Sequence, residues 1–521
     1  MKGIMNERYR KNAFLWVFVL LTATVIASAQ TAPAPASPAQ QQTPSQEALN
    51  KELSQIPIPT LPPFNPQQPK RIKLANGMIV FLQENHELPL IGGTMRIRGG
   101  SISEPADKTG LTDIYGTVWR TGGTKTRTGD QLDDFLEARA AKVETGADDD
   151  SSNISFNCLK GDFDDVFPVF TELLRDPAFR QDKIDLVKRQ LFGVISRRND
   201  DIDDIAGREA EKLAYGKNNP YARVEEYSTV AAVTREDLVN WHQKYVNPSN
   251  IIFGVYGDFD SATMEQLIRK TFESWPAGTR AEEPKIHFDP ATPGVYFIAK
   301  EDVDQSSVQM VGLGIDRKNP DYYAVTVMNE VLSGGFASRL VNNLRSKLGL
   351  AYSVGGGVGS AWDHPGMDDF SMATKSATTK DAIQGLKREL NDLIVHPPTP
   401  EEMKRAKDAI LNSFVFNFDS KQKVLAEKMR YEFYGYPLDF LETYRSQIEK
   451  VTVDDVNRVA KKYIHPDNYS ILVVGNSSQI GDQLTSLGPV TPVDITIPPP
   501  PGQPAEPGAP GAAAQHPPSS R

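Results

Sequence analysis

The chain has 521 residues, a single cysteine and a formal net charge of −10. That length is more than one hydrophobic core fills and calls for two domains, while the acidic balance argues against a nucleic-acid partner. Cys158, standing alone, permits neither an internal disulfide nor a cysteine-built metal site.

At the N-terminus, Lys2, Arg8, Arg10 and Lys11 precede an apolar stretch from Phe14 to Ala27 that closes in Ala27-Ser28-Ala29, the small-residue pattern of a secretory cleavage site. Residues 1–29 are read as a signal peptide and the protein as periplasmic or otherwise exported. An apolar run of about 14 residues is shorter than the roughly 20 that cross a bilayer, so no stable membrane span is expected after signal cleavage. Residues 30–68, rich in Ala, Pro and Gln, and the Pro-rich tail 486–521 offer too little apolar surface to offset the entropy of ordering. Both are expected to be disordered, the first as a linker. The folded body then divides into an N-terminal domain at 69–285 and a C-terminal domain at 286–485.

Within the first domain, Arg71 to Phe81 reads as two short strands around an Asn76-Gly77 turn, the strongest local hairpin signal. Residues 110–124, from Gly110-Leu111 to Gly122-Gly123-Thr124, read as a helix closed by glycines. Ile154, Phe156 and Leu159 place Cys158 in a strand as a buried, structural thiol. Arg197 to Asp201 precede a further helical stretch. In the second domain Ser333-Gly334-Gly335 is a loop, and Leu340, Leu344 and Leu348 recur every four residues, the spacing of a helix with one buried stripe. Gly349 suits the left-handed residue that ends it, and Ala351 to Val354 begins a strand. Gly355 to Gly357 and Gly359 read as a permissive strand edge or a mobile loop, since no Gly-Lys-Ser/Thr follows. Thr399-Pro400-Glu401-Glu402 sets an N-cap, a first-turn proline and an N3 acid at the start of a helix running to about Phe416.

The strongest feature is a repeat. Val233, Thr234, Asp237, Lys244, Tyr245, Pro248, Asn250, Val255 and Gly257 recur as Val451, Thr452, Asp455, Lys462, Tyr463, Pro466, Asn468, Val473 and Gly475, each 218 positions on (451 − 233). Thr and Asp three residues apart start a helix, and the apolar run after the proline is a buried strand. Each half therefore ends in the same helix-to-strand module, and the fold class is α+β with two homologous domains.

The order of hairpin, Gly-Leu helix and Gly-Thr resembles peptidase family M16, the insulinase and mitochondrial processing peptidase group. The resemblance covers nearly all of residues 69–485. It implies two domains, each a mixed sheet flanked by helices, facing each other across a cleft. Active members carry His-x-x-Glu-His on the Gly-Leu helix and a distant Glu, which together bind zinc and supply the general base. On this chain the first His falls on Asp113, the base on Gly116, the second His on Thr117 and the distal ligand on Val194. Glycine and valine offer no donor and threonine a poor one, so no metal is expected to be bound by this chain, and zinc is expected in a partner subunit. His86, His242, His287, His364, His396, His465 and His516 are scattered and read as loop or surface residues.

The second half matches the family more closely, through Ser338-Arg339-Leu340 and Gly349-Leu350-Ala351-Tyr352-Ser353-Val354. There the family's Arg and Tyr hold the substrate peptide over zinc, which implies substrate binding by Arg345 and Tyr352. A chain with an emptied zinc motif and this pair resembles the non-catalytic subunit of the two-chain M16 enzymes. The implied partners are an M16 subunit carrying His-x-x-Glu-His and extended peptide substrates, with no catalytic residue in this chain. A scaffold or peptide-binding protein without a proteolytic role is the alternative, as in the structural core subunits of respiratory complexes in this family. An active peptidase with unconventional ligands rests only on Asp113 and the family resemblance.

Overall fold

The computed structural model describes residues 67–503; the signal peptide at 1–29, nearly all of the 30–68 linker and the tail beyond 503 lie outside the described residues. In the first half, β1 (Lys70–Lys73) and β2 (Ile79–Glu84) form the expected hairpin, with Gly77 at φ +95°. There follow β3 (Leu90–Arg98), α1 (Leu111–Thr121), α2 (Gly129–Glu137), β4 (Lys142–Ala147) and β5 (Ser151–Leu159). Helices α3 (Phe163–Arg175), α4 (Gln181–Arg197), α5 (Ile202–Tyr215), α6 (Tyr227–Ala232) and α7 (Arg235–Tyr245) lead to β6 (Ile251–Gly257) and α8 (Ser261–Phe272).

The second half begins with β7 (Val295–Ala299), β8 (Gln305–Leu313), β9 (Ile315–Asp316) and α9 (Tyr322–Ser333). A π-helical turn at Val341–Lys347 precedes β10 (Ser353–Gly357), β11 (Ser360–Ala361) and β12 (Met367–Lys375). Then come α10 (Thr379–Val395), α11 (Pro400–Phe414), α12 (Lys421–Tyr434), α13 (Phe440–Lys450) and α14 (Val453–Tyr463). The body closes with β13 (Ser470–Gly475), the single-turn α15 (Ser477–Ile480) and β14 (Val490–Pro492).

Two six-stranded mixed sheets result, ordered β1-β2-β6-β3-β5-β4 and, read from its far edge, β14-β7-β13-β8-β12-β10. Five strands correspond in order, β2-β6-β3-β5-β4 with β7-β13-β8-β12-β10, and the parallel pair β2/β6 is matched by β7/β13; the remaining edge differs, β1 antiparallel to β2 but β14 parallel to β7. Capping boxes start both repeated helices: Thr234 and Asp237 at α7, Thr452 and Asp455 at α14. Each satisfies backbone N–H groups that the first helical turn leaves orphaned. The Thr399 box opens α11 in the same way, and that helix stops at Phe414, followed by a 3-10 turn at Val415–Asn417.

One face of each sheet is packed by helices of its own half. On the other face the halves exchange helices. α5, from the first half, lays Ile205, Ala206, Ala210 and Ala214 on Ile298, Val311, Leu472 and Val474 of the second sheet. α12, from the second, lays Leu425, Met429 and Phe433 on Phe81 and Ile252 of the first. Small residues make both contacts close: alanines stand at every fourth position in α5, and a Cβ on Gly254 would lie 2.2 Å from Met429 Sδ. The chain crosses between halves along 276–294, where Asp289 and Ala291 donate backbone hydrogen bonds to Tyr215 and Leu213 at the end of α5.

The disordered tail expected from 486 starts too early. Val490–Pro492 pairs in parallel with β7, Val493 donates to the Phe297 carbonyl, and Asn199 Nδ2 donates to the Ile495 carbonyl at 2.8 Å. Val490, Val493, Ile495 and Ile497 supply apolar contacts that a reading of the prolines alone overlooked. Cys158 is buried as expected, and burial pushes its thiol up to about 12.

His242 departs from the surface reading. It is buried in α7, where Nε2 lies 3.0 Å from the Leu174 carbonyl and Nδ1 2.9 Å from the Tyr115 hydroxyl. A carbonyl only accepts, so Nε2 carries the hydrogen and Nδ1 accepts from the tyrosine. Burial lowers its pKa from 6.5 to about 4. The unfolded chain then binds the extra proton and the folded one does not, so this residue's contribution to stability is whole above pH 6.5 and is lost as pH falls toward 4. The stability deficit of His242→Gln, read from urea midpoints, is expected to shrink by up to about 3 kcal/mol between pH 7 and pH 4. A deficit constant with pH would mean that the ring titrates normally in the folded protein.

Candidate functional site

The four positions that would carry a zinc motif fall on α1, which begins after Gly110, and on α4, which packs against it. α1 is anchored by a residue the sequence did not single out. Glu104 accepts from Gly110 N at 3.1 Å through Oε1, and through Oε2 from Thr112 N at 3.0 Å and Thr112 Oγ1 at 3.1 Å. Burial pushes this carboxyl up to about 7, against the pull of those donors. It occupies the orphan N–H groups at a positive helix end, a capping role. Ile114, Tyr115, Val118 and Trp119 turn into the core, leaving Asp113 and Thr117 half-buried on the opposite side.

Gly116 faces β4. A Cβ there would lie 2.8 Å from Ala147 N and 2.9 Å from the Gly146 carbonyl carbon, and Thr145 Oγ1 donates to the Gly116 carbonyl at 2.6 Å. The strand backbone thus occupies the volume a general base would need. Val194 on α4 is 59 % exposed and carries no donor atom. Among the described residues no group of three or more His, Cys, Asp or Glu is placed to hold a metal ion. Asp113 and Thr117 do not by themselves make a zinc site, and the residues present do not fit one.

Arg345 and Tyr352 flank the turn into β10, an edge strand of the second sheet. The segment before it is not the expected α-helix. Val341–Lys347 is π-helical, with Leu348 N bonded to Asn343 O at 3.0 Å and Leu350 N to Leu344 O at 2.9 Å. A π turn takes more residues than an α turn, so a four-residue spacing falls short of a full turn. Leu340 and Leu344 are therefore buried while Leu348 is 56 % exposed, and the expected single stripe breaks. Gly349 does take the left-handed conformation, at φ +61°.

Beyond it, buried Ala351 anchors the chain, and Tyr352 N donates to Ala373 O at 2.8 Å. That fixes the backbone of Tyr352 and leaves its ring 74 % exposed. The Arg345 guanidinium lies 5.5 Å from the ring centroid of Phe336, itself 79 % exposed on the loop after α9. Neither Arg345 nor Tyr352 spends its side-chain donors within the described residues. Arg339, from the same motif, is instead structural: it forks onto Glu402 at 2.8 and 2.9 Å and donates to the His396 carbonyl.

Two family models match the chain: Insulinase (Peptidase family M16) over residues 80–210 and Peptidase M16 inactive domain over residues 232–410. A non-peptidase homolog, YmxG, of Helicobacter pylori is 24 % identical over 406 residues, covering 77 % of this chain and 92 % of that protein. The uncharacterized zinc protease YmxG of Bacillus subtilis is 20 % identical, with 79 % of this chain and 99 % of that protein covered. Among solved structures, the peptidase M16 inactive domain from Pseudomonas fluorescens superposes with a TM-score of 0.70 at 23 % identity, over 79 % of this chain and 98 % of that one.

Proposed function

Because the chain belongs to the M16 insulinase-like peptidase family, we propose that it is the substrate-holding, non-catalytic subunit of a two-chain zinc peptidase acting on extended peptides after export. The observation that carries this reading is the contrast between its two halves. Where a general base would stand, a strand backbone closes on Gly116; at the edge of the other sheet, Arg345 and Tyr352 present unspent donors on an anchored backbone. A guanidinium and a phenol are suited to hold a peptide carbonyl that gains negative charge as it is attacked. Zinc and the general base would come from the partner.

The name non-peptidase homolog, borne by the Helicobacter relative, supports loss of independent activity. It is equally compatible with the alternative of a scaffold or peptide-binding protein. Co-purification with an M16 subunit carrying His-x-x-Glu-His separates the two readings. In that complex, Arg345→Ala and Tyr352→Phe are each expected to lower kcat/KM at least about tenfold through misplacement of the scissile carbonyl, with assembly unchanged. Full activity of both variants in the assembled complex would reject the assignment.

A further inference from the structure

A cavity of about 360 Å³ in the second half carries two charges without partners in its wall. Trp362, Tyr431, Phe440 and Tyr444 line it together with Arg317 and Glu330. Arg430 and Glu427 also reach it, but pair with each other. The Arg317 guanidinium lies over Trp362, its carbon 4.0 Å from the ring centroid, and its Nε reaches the Ser360 carbonyl only at 3.5 Å. No carboxylate pairs with it among the described residues. The Glu330 carbonyl accepts from Gly334 N at the end of α9, but its carboxylate makes no hydrogen bond or ion pair among the described residues, and burial raises its pKa. Arg317, Glu330 and Tyr444 all line this one chamber.

An unpaired cation and an unpaired anion between aromatic walls call for a ligand that carries both charges and an apolar body. An anion alone would leave Glu330 unpaired, and a cation alone would leave Arg317 unpaired. The volume equals that of about a dozen waters, room for two amino-acid residues rather than one. We propose that this chamber binds a zwitterionic dipeptide, its ammonium on Glu330, its carboxylate on Arg317 and its apolar side chains against Trp362 and Phe440. Arg317 offers a fork matched to a carboxylate, and an ammonium suits both the Glu330 carboxylate and the aromatic lining of the chamber. The site lies outside the Arg345 and Tyr352 pair and does not depend on its role.

Calorimetric titration of the full chain tests this with four probes: leucyl-phenylalanine, its N-acetyl derivative, its C-terminal amide and free phenylalanine. The free dipeptide is expected to bind, with each blocked form and phenylalanine weaker by about tenfold or more, since a charge-assisted contact is lost each time. In Glu330→Gln the acetyl penalty should vanish while the amide penalty stays; in Arg317→Gln the reverse should hold. Equal binding of free and blocked dipeptides, equal binding of phenylalanine, or no binding up to roughly millimolar concentration would overturn the proposal. Variants that keep the parent far-UV spectrum but shift both penalties alike would overturn it too.

Discussion

Gly116→Glu is expected to lower the unfolding free energy by about 5 kcal/mol, the sum of overpacking and of burying an unpaired carboxyl. Glycine to alanine in a helix interior ordinarily stabilises by about 1 kcal/mol, because glycine loses more backbone entropy. Here the sign reverses even for Gly116→Ala, since the new Cβ would sit 2.8 Å from Ala147 N, and backbone cannot swing aside as a side-chain tip can. Gly193, in the interior of α4, has nothing within 4 Å of its Cβ direction and provides the control. Gly193→Ala should raise stability by about 0.5–1 kcal/mol in the same urea series. Rebuilding the whole motif as Asp113→His, Gly116→Glu, Thr117→His and Val194→Glu should therefore yield an unstable chain. A rebuilt chain as stable as the parent, with zinc bound at unit stoichiometry, would sink this account of α1.

Phe433→Ala should cost about 4 kcal/mol, in the range of large-to-small aromatic truncations. Phe433 is buried on α12 where that helix crosses onto the first sheet. The guanidinium carbons of Arg96 and Arg98 lie 4.0 and 4.4 Å from its ring centroid, and its carbonyl accepts from Arg98 at 2.5 Å. Arg96 in turn donates to Asp150 at 2.9 Å and to the Tyr434 hydroxyl at 3.0 Å. Truncation removes the ring shared by the half-buried Arg96 and the buried Arg98, and with it one tie between the halves. Besides the lower midpoint, unfolding should broaden as the halves lose cooperativity. Phe416→Ala, on the exposed turn after α11, should change stability by no more than about 0.5 kcal/mol. Equal effects from the two truncations would mean that α12 does not join the halves.

Much of the architecture was legible because it is written in local spacing. The Thr-to-Asp caps and the Asn76-Gly77 turn each concern residues within one turn, the repeat copies one such cap 218 residues on, and each is found in place. Capping chemistry needs a side-chain oxygen three residues from an orphan N–H, a pattern a linear reading detects. The π turn was missed because Leu340, Leu344 and Leu348 satisfy the α spacing on paper; only packing showed Leu348 outside. His242 was missed because its partners, Tyr115 and Leu174, stand 127 and 68 residues away. The Arg317 and Glu330 chamber had no linear signal at all, as its walls come from the loop after β9, α9, the β11 loop, α11, α12 and α13.

By itself the sequence determined that there are two homologous α+β halves, and which helix and which strand end carry the family's positions. The first follows from the residues that recur 218 positions on, the second from the resemblance to the M16 family. Only the tertiary structure decided that β4 closes on Gly116, that α5 and α12 each cover the other half's sheet, and that the segment around 495 runs back to Asn199. Those contacts join segments tens to hundreds of residues apart, where the fit of one backbone against another, and not the identity of neighbouring residues, sets the outcome.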